Sequence, residues 1–259
     1  MRLTDSRTGR SCDIHPAHRG LLRVTVHAGH PARPFDLSDL RALLVADVLR
    51  RVGEFGGDLQ VSLTWVLPDL PAPLPAPLAE APAREAYRLG VRPPDSTEDD
   101  GSADLRILAS GTDTDRSAGT VLTVAPARPP VPGTAETPLG FLDALTAEPL
   151  AVRLALLRHP YRASVDLADP LLTDAQRALD RWRQLVAQWS EEPSLPSLTD
   201  PVRRARAAFG DDLDTSTALD VLEHTAAGTE PAGARFETFV RVDRVLGLEL
   251  SRDVGRAAA

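Results

Sequence analysis

Lysine is absent from the 259-residue chain, and arginine supplies all 29 of its basic side chains. Without lysine there can be no Walker-type phosphate lysine, no Schiff base and no lysine tuned into a general base. The charge balance is acidic, with a formal net charge of -8 at pH 7. This balance disfavours a protein that envelops a polyanion, although local arginine patches can still bind one.

Cysteine and long apolar runs are also scarce. Cys12 is the single cysteine, which excludes an internal disulfide and a cysteine-rich zinc cluster. No uncharged apolar run approaches the length that crosses a bilayer, and the residues up to Pro16 contain no apolar signal core. We therefore expect a soluble, globular, cytoplasmic protein that is not associated with a membrane and is long enough to bury a core.

Hydrophobic patterning near the N-terminus predicts a βαβ unit. A strand over residues 21–26 is followed by a turn-rich segment, by an apolar helix over 40–52 that Ser38 or Asp39 could cap, and by a strand over 59–67. Two parallel strands joined by a crossover helix place a ligand at the carboxyl end of the first strand, where residues 27–39 lie.

The remaining pattern changes from mixed to helical near residue 140. Proline-rich connectors are predicted at 68–82 and 126–138, a short helix at 83–90, and two strands of a hairpin or sheet edge at 105–109 and 120–125. Helices are predicted at 141–145, 149–157, 174–189, 200–209, 214–227 and 234–246. We therefore predict an α/β fold with a Rossmann-like domain over 1–139, followed by an all-α helical bundle over 140–259.

Several segments resemble cysteinyl-tRNA synthetases, which are class I synthetases with a Rossmann catalytic domain followed by a helical bundle. In the N-terminal half these are LTDSRTGR, ADVLRRVGEFGGDLQVSL and LGVRPPD. In the C-terminal half they are PLAVRLALLRHPYRASVDL, TDAQRALDRWRQLVAQW, FGDDLDTSTALDVLEH and RVDRVLGLEL. The chain resembles a shortened, degenerate member of this family, which is a statement about ancestry and not yet about activity.

The resemblance also shows where the chain departs from the family. In the family, a cysteine after the first strand binds zinc and the HIGH motif holds the ATP phosphates. The alignment places His27 at the ligand cysteine, and Asp36 and Asp39 at the two HIGH histidines. A carboxylate there repels a triphosphate. The degenerate nucleotide-site positions implied by the resemblance are His27, Gly29, His30, Asp36, Ser38 and Asp39.

Other family machinery has no counterpart between LGVRPPD and ETPLGFLDAL. The family carries there an insertion, further zinc ligands and the KMSKS loop, whose lysine stabilises phosphate charge. The resemblance therefore implies no catalytic residues, no zinc or other metal, and no cofactor in this chain, with ATP kept as an alternative. The thiolate-binding metal that distinguishes cysteine from serine is lost with them.

Two clusters admit a metal hypothesis and a simpler one. His15, His18, His27 and His30 could form a metal site, but their proline-containing loop does not hold two imidazoles on one helical face, so solvated or hydrogen-bonded histidines are favoured. The acidic run Asp211, Asp212 and Asp214 could bind a cation, but it is typical of a helix N-terminus, where carboxylates satisfy free amides.

Arginines supply the candidate nucleic-acid surface. Arg153, Arg158 and Arg162 lie in the segment that resembles a tRNA-contacting region of the family, and they are the best anion-binding candidates. Acidic residues interspersed with the bundle arginines favour a simpler alternative, in which most of them form ion pairs on solvated helix faces.

Three functional hypotheses follow. The leading one is a catalytically degenerate cysteinyl-tRNA synthetase paralogue, a pseudoenzyme that acts as a binding or regulatory module. The alternatives are an ATP-dependent ligase that activates cysteine or a related amino acid for tRNA or a small amine, and a tRNA-binding protein without aminoacylation. The expected partner is a protein or a second copy of the chain, with an interface near residues 60–140, where a family insertion is missing.

Overall fold

A computed structural model describes residues 1–14, 16, 20–30, 33, 35–56, 59–67, 80–112, 119–129, 142 and 147–256. The strands in these ranges are β1 (Arg2–Asp5), β2 (Arg10–Asp13), β3 (Leu21–His27), β4 (Gln60–Val66), β5 (Leu105–Leu108), β6 (Thr120–Thr123), β7 (Ala127–Arg128) and β8 (Val165–Asp166). The helices are α1 (Leu37–Gly56), α2 (Ala81–Arg88), α3 (Pro149–Leu157), α4 (Asp169–Trp189), α5 (Thr199–Gly210), α6 (Thr215–Ala227) and α7 (Ala232–Leu246).

The central sheet has four parallel strands in the order β4-β3-β5-β6. Alternation along β3 gives the sheet two different faces, because successive side chains of a strand point in opposite directions. Leu22, Val24 and Val26 are buried on the apolar face, while Arg23 and Thr25 alternate with them on the other. The α/β class and the βαβ unit predicted from the sequence are therefore confirmed.

Of the two alternatives predicted for residues 105–125, the hairpin is wrong, because β5 and β6 pair in parallel with Leu105 opposite Thr120. The sheet edge is confirmed, because β6 is the outermost strand on its side of the central sheet. The connection between β5 and β6 spans eleven residues, from Ala109 to Gly119, which is long enough to return the chain to the start of a parallel neighbour. The polar, glycine-containing sequence between the strands suggested a turn but did not determine the strand direction. The sequence interpretation also missed the antiparallel pair β1-β2.

Helix α1 is the central helix of the fold. It is buried on nearly all sides because the sheet lies on one side and helices, including α7, lie on the other. Near its end, a Cβ at Gly53 would lie 2.8 Å from Val61 Cγ2 and 3.0 Å from the Leu59 carbonyl oxygen. Glycine is therefore required where α1 comes closest to β4. The helix begins three residues earlier than predicted, and Asp36 caps it instead of Ser38 or Asp39, as described below.

The two halves of the chain meet at a buried ion pair. Arg153 on α3 donates from Nη2 to Asp47 Oδ2 on α1 at 2.7 Å, and both side chains are fully buried. Arg153 also donates to the carbonyl oxygens of Leu246 at 2.6 Å and Leu89 at 3.1 Å. Burial alone would raise the pKa of Asp47, but the nearby charges of Arg153 and Arg51 outweigh it and hold the pKa below its usual value.

The assignment of Arg153 to an anion-binding surface therefore needs correction. With no exposed side-chain surface and every bond directed to protein groups, Arg153 is a structural residue that cannot contact a nucleic acid in this fold. Gly247 follows α7 beside it with a φ of 63°. A Cβ at Gly247 would lie 2.9 Å from Arg153 Nη2, so both backbone conformation and space require glycine there.

Helical periodicity located the bundle helices well. Helix α3 has the bounds predicted from the sequence, and α4, α5, α6 and α7 differ from their predictions by one to five residues at an end. Edge-to-face contacts join Phe239 of α7 to Trp182 and Trp189 of α4, with ring centroids 6.1 and 5.1 Å apart. Within the predicted helix at 141–145 the structure describes Leu142 alone, so that helix stays a prediction. The proline-rich stretches at 68–79 and 130–138 lie outside the described residues, and the two-domain division also stays a prediction.

Within the described ranges, no helix combines enough length and apolarity to cross a membrane. Large apolar side chains that are exposed in these ranges are Tyr87, Leu195 and Val254. Tyr87 alone among them falls within residues 60–140, so a partner interface in that region stays a prediction.

We expect Arg153→Met to lower the free energy of unfolding by roughly 2–4 kcal/mol. Asp47 loses its fully buried partner but keeps its pairs with Arg51 and Arg92, and two buried carbonyl oxygens lose their donor. Denaturant unfolding measures this change. Arg177→Met is the matched control, since Arg177 forms an exposed pair with Asp174 and should change stability by about 0.5 kcal/mol or less. Equal effects of the two substitutions would contradict the structural role of Arg153.

Candidate functional site

The carboxyl edge of the sheet between β3 and β5 is the expected position of a ligand. Strand β3 connects through α1 to β4 on one side, while β5 lies on its other side. Ligands of open α/β sheets bind where connections leave in opposite directions in this way. The crevice at this edge is bordered by residues 27–29 after β3, residues 108–110 after β5, and the start of α1.

Asp39, which the resemblance predicts at the second HIGH position, is completely buried at this edge. Its Oδ1 accepts from the Gly29 amide and from Arg33 Nη2, both at 2.7 Å. Its Oδ2 accepts from Arg33 Nη1 at 2.6 Å and from the Asp36 amide at 2.9 Å. Each oxygen thus has two donors, which is the full acceptor capacity of a carboxylate. The charge of Asp39 is neutralised within the protein and is not presented to a ligand.

Asp36, which the resemblance predicts at the first HIGH position, is the N-cap of α1. Its Oδ1 accepts from the amides of Ser38 at 2.7 Å and Asp39 at 3.3 Å. Free amides at a helix start form a common phosphate site, and here a carboxylate of the same chain already occupies them. Burial, and then the charge of Asp39, raise the pKa of Asp36, while Arg33 and the helix amides oppose the rise.

Arg33 connects the start of α1 to the far side of the crevice. It pairs with Asp39 and also with Asp36 Oδ2 at 3.0 Å, and its Nη2 lies 3.4 Å from the carbonyl oxygen of Ser110, just beyond β5. The hydrogen bonds with Asp39 raise the pKa of Arg33. The sequence interpretation missed Arg33. Its position three residues before Asp36 and six before Asp39 could have indicated an ion pair.

His27 lies at the end of β3 on the polar face of the sheet. It is 8% exposed, and its Nε2 lies 3.9 Å from Asp99 Oδ2 without a hydrogen bond. Burial lowers the pKa of His27, Asp99 opposes this shift and Arg106 adds to it. In the described part of the chain, no three potential metal ligands come together. His15 and His18 fall outside the described residues.

The other predicted nucleotide-site residues have structural contacts. Ser38 Oγ donates to the Ala127 carbonyl oxygen and accepts from the Ala127 amide, both at 3.2 Å, which fixes α1 to β7. Gly29 has a φ of 93°, a region that favours glycine, and it turns its amide toward Asp39. The His30 carbonyl oxygen accepts from the Arg33 amide at 3.2 Å. The structure thus gathers Gly29, Asp36 and Asp39, whereas His27 and Ser38 face other partners.

Two of the three predicted anion-binding arginines reach the surface. Arg162 is half exposed and pairs with Asp212 Oδ2 at 2.8 Å. Arg158 is partly buried, and burial lowers its pKa. Their role in binding nucleic acid stays a prediction.

The acidic run before α6 caps this helix, as the simpler hypothesis predicted. Asp214 is the N-cap and accepts from the Thr217 amide at 3.0 Å. Asp212 has a separate role, accepting from the Tyr161 hydroxyl and from the Thr4 amide, both at 2.8 Å.

Comparisons with known proteins point to one class of ligases. Over 112 residues the chain is 38% identical to the L-cysteine:1D-myo-inositol 2-amino-2-deoxy-alpha-D-glucopyranoside ligase of Thermobifida fusca, a match covering 40% of the chain and 26% of the ligase. The corresponding ligase of Rhodococcus erythropolis is 40% identical over 120 residues, covering 43% of the chain and 28% of the ligase. The aligned part is thus about a quarter of the length of these curated relatives. No family model matches the chain.

A solved structure of an arginyl-tRNA synthetase-like protein from Campylobacter jejuni aligns over 92% of both chains with a TM-score of 0.49 and 10% identity. The matched ligases are cysteine-specific relatives of the cysteinyl-tRNA synthetases, so the resemblance predicted from the sequence segments is confirmed.

Replacement of Asp39 should open the loop before α1. We expect Asp39→Ala to destabilise the protein by roughly 2–4 kcal/mol, because Arg33 and two buried amides lose their acceptor. Amide hydrogen exchange at Gly29 and Asp36 should accelerate at least about tenfold. Ser38→Ala, which removes a neighbouring polar side chain of α1, is the control and should leave the Gly29 amide protected. Unchanged exchange at Gly29 in Asp39→Ala would contradict the role of Asp39 in holding this loop against α1.

The raised pKa of Asp36 predicts a pH-dependent stability difference. A carboxyl group whose pKa is higher in the folded state costs stability at neutral pH, and this cost disappears as the pH falls through the folded pKa. The stability of Asp36→Asn relative to the parent protein should therefore increase from acid toward neutral pH. Denaturant unfolding at a series of pH values tests this, and a difference that stays constant with pH would contradict it.

Proposed function

We propose that this chain, whose sequence is similar to cysteine ligases of the cysteinyl-tRNA synthetase type, is a catalytically degenerate paralogue that acts as a binding or regulatory module. The observation that carries the proposal is the saturated Asp39 carboxylate at the carboxyl edge of the sheet. A ligand of that crevice would first have to break contacts that the protein makes with itself.

Electrostatics at the start of α1 support this proposal. A triphosphate needs free amides and positive charge, but the amides of Ser38 and Asp39 are bound to Asp36 and the Arg33 charge is shared between two carboxylates. Two like charges about 4 Å apart repel by about 1–4 kcal/mol near a protein surface. Arg33 balances one of the two carboxylates, so the start of α1 keeps one net negative charge, which disfavours a triphosphate.

The absence of lysine also supports the proposal of a catalytically degenerate paralogue, for a chemical reason. Stabilisation of the transferred phosphate by a positioned cation is usually a large part of catalysis in such enzymes, and arginine is the single cationic side chain available besides histidine. Arg33, at the crevice, is engaged by Asp39. A scaffold that keeps its buried core but not its free cation is suited to binding a macromolecular partner, which we propose is another protein or a second copy of the chain.

The similarity to cysteine ligases favours a second candidate, an ATP-dependent ligase acting on cysteine or a related amino acid. In that function Arg33 would have to leave Asp39 and pair with a phosphate, and the Asp36 carboxylate would have to release the helix amides. Binding of tRNA without aminoacylation is a further alternative and would depend on Arg158 and Arg162, which lie at the surface.

Calorimetric titration with a non-hydrolysable cysteinyl-adenylate analogue, and with ATP and cysteine separately, distinguishes the first two candidates. We expect no binding of the analogue or ATP below millimolar concentration. The double variant Asp36→Asn with Asp39→Asn keeps the shape of both side chains and removes two negative charges, so it should gain measurable affinity for ATP.

Micromolar binding of the analogue by the unmodified protein, or cysteine-dependent exchange of pyrophosphate into ATP, would contradict the degenerate module and favour the ligase. Near-ultraviolet circular dichroism of the double variant checks that its fold is retained, so that a negative result for the variant can be interpreted.

A further inference from the structure

A small cavity lies on the side of α1 away from the crevice. It is enclosed by α1, by the end of α3 and by the segments around residues 159–161 and 213–215, and its volume is about 20 Å³. Apolar side chains such as Leu44 and Val48 form part of its wall, and Arg41 and His159 supply cationic or potentially cationic groups. A cavity of this size holds one particle about as large as a water molecule.

Arg41 is a buried cation without an acidic partner. It is 1% exposed, and its guanidinium donates to the carbonyl oxygens of Ala125 at 2.9 Å, Ala163 at 2.6 Å and Pro160 at 2.9 Å. Among the described residues no carboxylate forms an ion pair with it, and burial lowers its pKa to about 10. Carbonyl oxygens accept from three of its five N–H groups and leave its net charge uncompensated, which is costly in a buried position.

His159 offers a second polar group to the same cavity. Its Nε2 is buried and has no hydrogen-bond partner in the described structure. Burial, followed by the charges of Arg41 and Arg158, lowers the pKa of His159. Burial thus favours the neutral imidazole, and the tautomer protonated at Nε2 would offer an unused N–H donor to the cavity.

The hydroxyl groups in the cavity wall are already engaged as donors. The Tyr161 hydroxyl donates to Asp212 Oδ1 at 2.8 Å, and the Thr215 hydroxyl donates to the Leu157 carbonyl oxygen at 2.6 Å. The carboxylate nearest the cavity, Asp212, is compensated by Arg162 and by the Thr4 amide. Positive charge therefore dominates inside the cavity.

We propose that this cavity binds a small monovalent anion of halide size, held between Arg41 and His159. A halide supplies the missing negative charge and accepts hydrogen bonds from several directions. The small free volume, about 20 Å³, favours a compact anion over phosphate or sulfate. The anion would stabilise the contact of α1 with α3 and with the segment before α6, independently of any ligand at the sheet edge.

Thermal unfolding in sodium chloride against sodium gluconate at equal ionic strength tests the proposal. Between chloride-free buffer and about 0.2 M chloride, we expect Tm to rise by roughly 3–6 °C, as for an anion bound to the folded state with a Kd on the order of 10 mM. Bromide should act at least as strongly. In a crystal soaked in bromide, an anomalous peak should lie between Arg41 and His159.

Two matched histidine variants separate the cavity from general salt effects. His159→Leu fills the cavity with apolar atoms and should abolish the difference between chloride and gluconate. His224→Leu, at an exposed position on α6, should retain it. Equal Tm in chloride and gluconate, a halide effect that persists in His159→Leu, or a cavity without bromide density would each overturn the proposal. If His159→Leu does not fold, the bromide map of the unmodified protein decides.

Discussion

The buried ion pair between Asp47 and Arg153 fixes the position of α1, and the other polar sites of the protein depend on that position. Arg153 holds the chain after α2 and the end of α7 through the carbonyl oxygens of Leu89 and Leu246, while its charge is met by Asp47 on α1. A buried pair of this kind contributes little net stability compared with apolar packing, but its directed bonds allow few alternative arrangements. Its main effect is therefore to specify how the sheet half and the helical half fit together.

Helix α1 contributes residues to three polar sites along its length. Its first turn closes the sheet edge through Asp36 and Asp39, its second turn places Arg41 in the small cavity, and its middle forms the pair with Arg153. A helix buried on nearly all sides is usually apolar, and each polar exception here forms directed hydrogen bonds to groups of the protein. Displacement of α1 would therefore disturb all three sites at once, because each depends on partners from a different part of the chain.

Sequence periodicity was sufficient for the helices and for the βαβ unit, since both depend on contacts close in the chain. The parallel pairing of β5 with β6 could not be obtained in the same way, because strand direction depends on how a connection packs. The resemblance predicted carboxylates at the positions of the HIGH histidines, but charge alone did not show that Arg33 and Gly29 would form hydrogen bonds with Asp39. Arg153 was misassigned for a related reason, since its acidic partner lies 106 residues away and a buried arginine has the same sequence pattern as an exposed one.

The sheet edge differs from an empty nucleotide site because its hydrogen-bond donors, the amides at the start of α1 and Arg33, already bind carboxylates of the same chain. In an empty site, helix amides and a nearby cation are hydrated, and a phosphate replaces loosely held water. In this chain the same kinds of donor are bound to Asp36 and Asp39, so a ligand must displace groups tethered by the fold at high effective concentration. Each net hydrogen bond lost would cost about 0.5–1.5 kcal/mol, and the one net negative charge of Asp36, Asp39 and Arg33 adds to that cost for an anion. In the degenerate module that we propose, internal carboxylates therefore hold the sheet edge closed, and a partner would bind elsewhere on the surface of the protein.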